Sequence, residues 1–268
     1  MANPRPPDDQ ENPLERLLRL AKPEPGLRPE LYRLLLESHV YILLPEWFDA
    51  EQPVLSDTHI PFIEWTRPDG VRVVPFFSSM DTLKQGAPQA KKAASFPVRG
   101  LFAAVPDKIM HLNPNCEFGF VLQANEIHML LTHGMLGRPA PFSDEAFQDT
   151  VVDPVTDPPA DMVSGLITLY ARTPSIEAAY LVRVSPVGDE ARSTLLIAVE
   201  LDARGTEPDV ASDSFVVVED TYQGDEAVDL AFIKCNPAMW DAIRRMTSPF
   251  YDRSSGPRFI ETMLAGRG

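Results

Sequence analysis

The strongest hydrophobic pattern in the chain lies between Val71 and Leu83, where a strand-like run leads directly into a helix start. The run VRVVPFF is β-branched or aromatic apart from Arg72 and Pro75, and such side chains suit a pleated, buried surface. Proline cannot donate to a strand ladder, so Pro75 is expected at a strand end or a sheet edge. The pattern predicts a short strand that is covered on most of both faces.

Polar residues on either side of this strand predict a hairpin before it and a helix after it. The turn signal Arg67-Pro68-Asp69-Gly70 precedes the strand, so residues 60–65 are expected to pair with it. Ser78 and Ser79 offer caps for the following helix. Asp81 lies in the first turn, where the helix dipole favours a carboxylate.

The rest of the first half alternates between helical and strand patterns. Asn12-Pro13 predicts a cap and a first helical position, with Glu15 in the capping-box place. The spacing of apolar residues then predicts a helix from Pro29, a strand at 40–44, an edge strand at 94–99, a helical turn at 100–105, a strand at 108–112, a turn at 113–115, and a helix at 123–133 that Gly134 stops.

The second half begins after a stretch with a different composition. Residues 137–160 contain five prolines and five acidic residues, which predicts a semi-rigid linker. The patterns after it predict a helix from Asp161, strands at 176–184 and 193–201, a strand at 227–234 and a helix from Asn236-Pro237. Residues 206–222 have strand propensity at 215–218, but the spacing between the flanking strands favours a helix. The order αββαβα predicts a small sheet with helices on one face.

These elements define the expected organisation of the chain. The fold class is α/β in the α+β sense, with two small mixed-sheet domains and helices packed on the sheets. The predicted segments are an arm with a helix (1–27), a first domain (28–136), the linker (137–160), a second domain (161–251) and a tail (252–268). The tail carries apolar residues spaced for an amphipathic turn that docks on this chain or on a partner: Phe259, Ile260, Met263 and Leu264.

Charge narrows the class of partner. The 268 residues include 39 acidic and 24 basic side chains, a formal charge of −15. Such a field repels phosphate backbones, so no nucleic-acid partner is expected. The acidity favours solubility, and it also suits a basic protein partner.

Cysteine usage and hydropathy bear on location. Cys116 and Cys235 are too few for a disulfide framework and are expected to be reduced thiols of a cytoplasmic protein. The amino-terminal residues lack the pattern of a secretory signal. No apolar run approaches the ~18 residues that span a bilayer, so no membrane span is expected.

Several runs resemble the SseB (enhanced serine sensitivity) family. In the first half these are PELYRLLLESHVYILL, IPFIEWT, VRVVPFFSSMDTLKQ and DKIMHLNPNCEFGFVLQANEIHMLL; in the second half they are AAYLVRV, TLLIAVELD and PAMWDAIRRMTSPFY. Together they cover about residues 28–251. The resemblance implies a bacterial two-domain α/β protein linked to serine sensitivity when overproduced, supports the helix at 206–222, and brings no established active site.

Motifs for catalysis, metals and cofactors are weak. The five histidines are scattered, His128 and His133 do not share a helical face, and HExxH and CxxC are absent, so no metal site is expected. The chain lacks G-x-S-x-G and the glycine-rich phosphate loops, so neither a catalytic residue nor a cofactor is assigned. Cys116 has a carboxylate neighbour, Glu117, that would raise the pKa of its thiol.

Two sets of residues remain as candidate sites. Trp47, Phe48, Phe76 and Phe77 would form a partner-binding patch if exposed, although core packing is favoured for large apolar side chains. The turn Asn113, Pro114, Asn115 and Cys116 would line a pocket if it is deep enough.

Three hypotheses for the function remain. The leading hypothesis is a non-enzymatic adaptor or regulatory protein that binds another protein. The alternatives are a small-ligand binder or enzyme of serine-related metabolism, and an immunity or chaperone-like partner of a secreted effector.

Overall fold

The computed structural model describes residues 12–48, 61–134, 150–188, 192–232 and 237–255. The chain divides into two compact units. One holds described residues 12–23 and 27–134, and the other holds residues 24–26 and every described residue from Thr150 onward. Each unit has a mixed sheet with helices packed on it, which confirms the predicted α+β class.

The first unit contains five α-helices and six strands within the described ranges. In chain order they are α1 (Pro13–Ala21), α2 (Arg28–Glu37), β1 (His39–Leu43), β2 (Trp65–Thr66), β3 (Arg72–Phe77), α3 (Met80–Gly86), β4 (Ala93–Pro97), α4 (Val98–Ala104), β5 (Met110–Leu112), β6 (Phe120–Leu122) and α5 (Ala124–His133). The sheet order is β4-β1-β3-β5-β6, with β2 also on β3. β3 and β5 are parallel, and the other pairs are antiparallel.

Local chemistry explains most of these boundaries. The Asn12 side chain accepts from the Leu14 backbone N–H and caps α1, and Ser79 forms a capping box with Thr82 at α3. Gly134 ends α5 with a φ of 75°, which glycine adopts without strain. The strand β6 was not predicted. Its three residues after Gly119 are too few to show the alternation of apolar and polar side chains that is typical of a strand.

Pro75 corrects one expectation, because it lies inside the central strand β3 rather than at an edge. On the side of β3 that its nitrogen faces, β2 pairs with Arg72 and Val73, and β1 pairs with Phe76 and Phe77. Pro75 therefore stands between two ladders, where a missing N–H breaks no hydrogen bond.

The second unit contains three helices and five strands among its described residues. They are β7 (Thr150–Pro154), α6 (Ala160–Ala171), β8 (Ile176–Pro186), β9 (Thr194–Leu201), α7 (Glu207–Thr221), β10 (Ala227–Phe232), α8 (Pro237–Met246) and β11 (Tyr251–Asp252). The sheet order is β10-β9-β8-β11, with β7 also on β8. β10 runs parallel to β9, and the other pairs are antiparallel.

Part of the predicted linker is a strand. Thr150–Pro154 pairs with Val182–Pro186, whereas 137–149 lie outside the described residues. Proline content suggested an extended linker, but the β-branched run Thr-Val-Val finds a free edge on the long strand β8. The same edge takes β11 further along, at Ala178 and Ala179. The tail residues 256–268 also lie outside the described ranges.

Helices cover both faces of the second sheet, not one face as predicted. Tyr170 of α6 and Val217 of α7 pack over Leu181 and Ile197 on one face. Trp240 and Ile243 of α8 pack over the opposite face, with Tyr180 and Leu196. Because both alternating sets of side chains on β8 and β9 are apolar, each face requires a cover.

The predicted helix at 206–222 is confirmed as α7. The helix is buried along two runs, 210–214 and 216–218, and it packs against α6 and β10. Ser214 donates to the Val210 carbonyl and meets the buried Tyr170 hydroxyl at 3.0 Å. Packing against α6 therefore outweighs the strand propensity of 215–218.

One acidic residue of this unit gives a pH prediction. Hydrogen bonds from the Arg204 side chain and backbone lower the pKa of Asp202 from 3.8 to about 2, and Arg253 adds a bond at 3.3 Å. Because the pKa of the folded state lies below the unfolded value, this contribution is complete above about pH 4 and is lost as the pH falls toward about 2. Asp202→Asn is expected to flatten the loss of stability over that interval, as measured by urea unfolding at stepped pH. A variant with the wild-type pH dependence would contradict the assignment.

Candidate functional site

Trp47 is the most exposed large apolar side chain in the described residues, at 76%. It lies in a turn after β1 that is closed by the Phe48 N–H donating to the Pro45 carbonyl at 3.1 Å. Lys92 donates to the Phe48 carbonyl at 3.0 Å, and Lys91 pairs with Glu46 at 2.8 Å. The half-buried Phe48 ring meets the Trp47 ring edge-on at 6.3 Å. The backbone of the turn is thus tied to the neighbouring segment while the indole stays in solvent.

Phe76 and Phe77 do not join this surface. Both are 0% exposed, with Phe76 packed edge-on against Phe102 and Phe77 against Trp65. The four aromatic residues therefore do not form one exposed patch. The partner-binding prediction is left with Trp47 and Phe48.

The turn after β5 has an unusual backbone. Asn113 and Asn115 have φ angles of 49° and 62°, a region that asparagine tolerates better than most residues. Asn113 and Pro114 are buried, whereas Asn115 is exposed and donates from Nδ2 to the Gly86 carbonyl at 3.1 Å. Cys116 donates from Sγ to the Thr82 carbonyl at 3.4 Å. These two hydrogen bonds join the turn to α3, one at Thr82 near the start of the helix and one at Gly86, its last residue.

Asn113 and Ser78, which the sequence placed in separate motifs, meet in the structure. Each directly follows one of the parallel strands β3 and β5, and each is 2% exposed. The Ser78 N–H donates to Asn113 Oδ1 at 2.8 Å, and Asn113 Nδ2 donates to Ser78 Oγ at 2.9 Å. The carboxyl ends of parallel strands are where open α/β sheets commonly bind ligands.

Two residues at the start of α1, its cap and a residue of its first turn, contact Ser78, and sequence reasoning missed their role. The Ser78 hydroxyl donates to Glu15 Oε1 at 2.8 Å, and Asn12 Nδ2 donates to the Ser78 carbonyl at 3.0 Å. Asn12 and Glu15 were interpreted only as local capping residues. Glu15 bonds a residue 63 positions away, a partner that local spacing cannot reveal. The Ser78 hydroxyl also lies 3.3 Å from the Thr82 hydroxyl. We call Ser78, Asn113 and Thr82 the strand-end cluster.

Cys116 borders the strand-end cluster and is poorly activated. Burial first, and then the charge of Glu15, raises the pKa of its thiol. The expected direction is confirmed, but the carboxylate responsible is Glu15 rather than Glu117. Cys235 lies outside the described residues.

The described histidines differ in their exposure to solvent. His39 and His128 are exposed, and burial, followed by the charge of Arg67, lowers the pKa of half-buried His111. Within the described ranges, no three His, Cys, Asp or Glu side chains come together in a way that could hold a metal ion. Every helix in the same ranges falls short of the length and hydrophobicity that crossing a bilayer requires.

Comparison with known proteins places both units. The SseB protein N-terminal domain matches residues 14–129, and the SseB protein C-terminal domain matches residues 150–253. The chain belongs to the SseB family. It is 30% identical over 251 residues to Protein SseB of Escherichia coli (strain K12) and likewise to Protein SseB of Shigella flexneri, covering 92% of this chain and 95% of each relative. No significant match was found among solved structures.

The matched SseB ranges agree with the structural boundaries. The N-terminal range begins at Leu14, the second residue of α1, and ends inside α5, and the C-terminal range begins at Thr150, the first residue of β7. Asn12 precedes the first matched residue by two positions, whereas Glu15, Ser78 and Asn113 lie inside the N-terminal range. The strand-end cluster therefore belongs to the N-terminal SseB domain.

Proposed function

We propose that this SseB family protein is a non-enzymatic adaptor that acts in the cytoplasm and binds a basic protein partner through Trp47 and Phe48. The observation that carries the proposal is the 76% exposure of Trp47 on a turn whose backbone is tied down by Lys92. Large aromatic side chains are costly to leave in water and are enriched at the centres of protein interfaces. An indole held out on an ordered turn suits an interface anchor.

The charge of the chain supports a basic partner. The net charge of −15 attracts basic surfaces at long range and speeds their encounter. A cation also binds favourably over an indole face, so a Lys or Arg of the partner fits Trp47. The cytoplasmic location is supported by the low cysteine content.

The strand-end cluster gives less support to an enzyme or small-ligand binder in the arrangement described. The Asn113 amide and the Ser78 hydroxyl bond to each other, and the hydroxyl also donates to Glu15 of α1. Both residues are 2% exposed, so neither is presented to solvent. The immunity or chaperone-like alternative shares the basic partner of the leading proposal, and no further feature of the structure favours it.

The adaptor proposal predicts that Trp47→Ala removes partner binding while the fold is retained. Cross-linking of the wild-type protein in native extract should recover a basic protein partner. The same experiment with Trp47→Ala should not recover it. When that partner is purified, its Kd for Trp47→Ala should be about tenfold or more above its Kd for the wild-type protein, as for an interface hot spot. Calorimetry at increasing salt should show weaker binding, because salt screens the electrostatic attraction between the two proteins.

Val187→Ala provides the matched control. Val187 is 66% exposed and lies in the other unit, so its truncation also removes an exposed apolar side chain. The proposal requires wild-type affinity from this variant. Equal binding by wild type and Trp47→Ala would overturn it.

A further inference from the structure

The strand β10 forms an open edge of the second sheet. The sheet order ends at β10, which pairs with β9 along Ala227–Phe232 and with no other strand among the described residues. Because its partner lies on one side only, the backbone N–H and C=O groups of alternate residues point away from the sheet. Within the described ranges, those groups have no backbone partner. An edge of this kind can pair with a strand from another protein.

The two faces of β10 differ in chemistry. Val228, Leu230 and Phe232 join the apolar core that the sheet forms with α6 and α7, and Val228 and Phe232 are only half-buried there. Ala231 packs on the opposite face, with α8, and Asp229 lies two positions before it and therefore on that same face. A strand beside β10 would complete the cover of Val228 and Phe232 if its side chains on that face were apolar.

Asp229 is a half-buried carboxylate with no cationic partner in the part of the chain that the structure describes. Burial raises its pKa, and no charge or hydrogen bond among the described residues contributes to that shift. By contrast, Glu226 at the start of β10 accepts two hydrogen bonds from Arg183, at 2.9 and 3.1 Å. Glu200 of β9 accepts two from Arg244, at 2.6 and 2.8 Å. Since burying a charge without a partner is unfavourable, a cation brought beside Asp229 would be stabilised there.

A second copy of β10 does not supply that cation. The strand reads AVDLAF and contains no basic residue. Directly opposite residues of paired strands share a face, so a second β10 would place an alanine or another Asp229 beside Asp229. A wholly apolar strand would bury the carboxylate further without a partner. The edge therefore suits a strand from a different protein, with a cation at one position.

We propose that β10 binds an extended segment of a protein partner as an additional strand, and that a Lys or Arg of this segment pairs with Asp229. The residues on either side of the cation lie beside Val228 and Leu230 and are apolar. The backbone hydrogen bonds provide affinity, and the carboxylate selects segments with a cation over those without one. This surface belongs to the second unit, and the proposal does not depend on Trp47.

The first test offers the edge a short strand with and without the cation. The probe is an amidated, fluorescein-labelled peptide of sequence SVKVTVS, and the comparison peptide SVEVTVS replaces its lysine by glutamate. Fluorescence anisotropy with the full chain should give a Kd for the lysine peptide at least about tenfold below that for the glutamate peptide, because only lysine pairs with the carboxylate. Equal affinities would overturn the proposed recognition.

Asp229→Asn tests the carboxylate itself. The substitution removes the charge with little change in size, so the affinity for the lysine peptide should fall about tenfold. Asp225→Asn is the matched control, because Asp225 is exposed, lies two positions before β10 and changes the net charge by the same amount. It should keep the wild-type affinity. Equal losses in both variants would show a general attraction to the acidic chain and would contradict a site at Asp229.

Stability separates this role from a purely structural one. Asp229→Asn should be at least as stable as wild type in urea unfolding, because it removes a half-buried charge that has no partner. A clear loss of stability would show that the fold itself uses the carboxylate, and the proposal would then fail.

Hydrogen exchange and methylated peptides test the strand pairing. The lysine peptide should slow amide exchange in β10 and not in β7, which lies at the other edge of the same sheet. Two further peptides carry N-methyl groups on one or the other set of alternate amides. Because a strand bonds through one edge only, one of them should bind and the other should not. Equal affinities of these two peptides would exclude strand addition.

A carboxylate that only keeps other strands away from the edge gives a different result. The wild-type protein then binds neither the lysine nor the glutamate peptide, and Asp229→Asn self-associates in sedimentation velocity. That outcome would reject β10 as a binding edge.

Discussion

Gly86→Ala is expected to destabilise the first unit by about 3 kcal/mol, at the upper end of overpacking effects. A Cβ at this position would lie 2.3 Å from the Pro114 carbonyl oxygen and 2.7 Å from a Phe77 ring carbon. The carbonyl belongs to the turn that carries Asn113 and Asn115, and the ring is fully buried, so neither neighbour can move freely. Denaturant unfolding followed by circular dichroism measures the change.

Gly100→Ala is the matched control with the opposite expected sign. Gly100 lies inside α4, and a Cβ there would make only an ordinary contact of 3.5 Å with Pro97. Alanine is favoured over glycine in a helix interior by about 0.5–1 kcal/mol, so this variant should be slightly more stable than wild type. If both glycine variants lost stability equally, the close contact at Gly86 would not be the cause.

Asn113→Ala is expected to cost about 3 kcal/mol, because two effects add. The substitution leaves the buried Ser78 N–H without its acceptor, a loss of about 1–3 kcal/mol. It also forces alanine into a φ of 49°, which costs about 1–2 kcal/mol. The free energy of unfolding and the exchange rate of the Ser78 amide are the two measurements.

Asn113→Gly separates these effects. Glycine adopts the positive φ without strain, so this variant should lose only the hydrogen bonds to Ser78. It should be less stable than wild type and more stable than Asn113→Ala. Stability equal to wild type would show that the Ser78–Asn113 contact contributes nothing, and would remove the basis of the strand-end cluster as an organised site.

The sequence determined most of the local structure. Asn12, Ser79 and Gly134 mark helix ends, because a helix cap and a positive φ each depend on only a few neighbouring residues. The spacing of apolar residues along a helix or strand is local in the same way. The runs from PELYRLLL to PAMWDAIRR also carried the family resemblance, which the matches to both SseB domains confirm.

Tertiary structure decided what local spacing cannot contain. Pro75 is tolerated in a central strand because two ladders leave its nitrogen side unpaired, and Thr150–Pro154 is a strand because β8 offers it an edge. Trp47 and Phe77 are similar in sequence character, yet one is in solvent and the other is fully buried. Ser78, Asn113 and Glu15 converge across 35 and 63 positions of chain. Contacts over such separations depend on how strands and helices pack, so the sequence determined the elements and only their packing determined the sites.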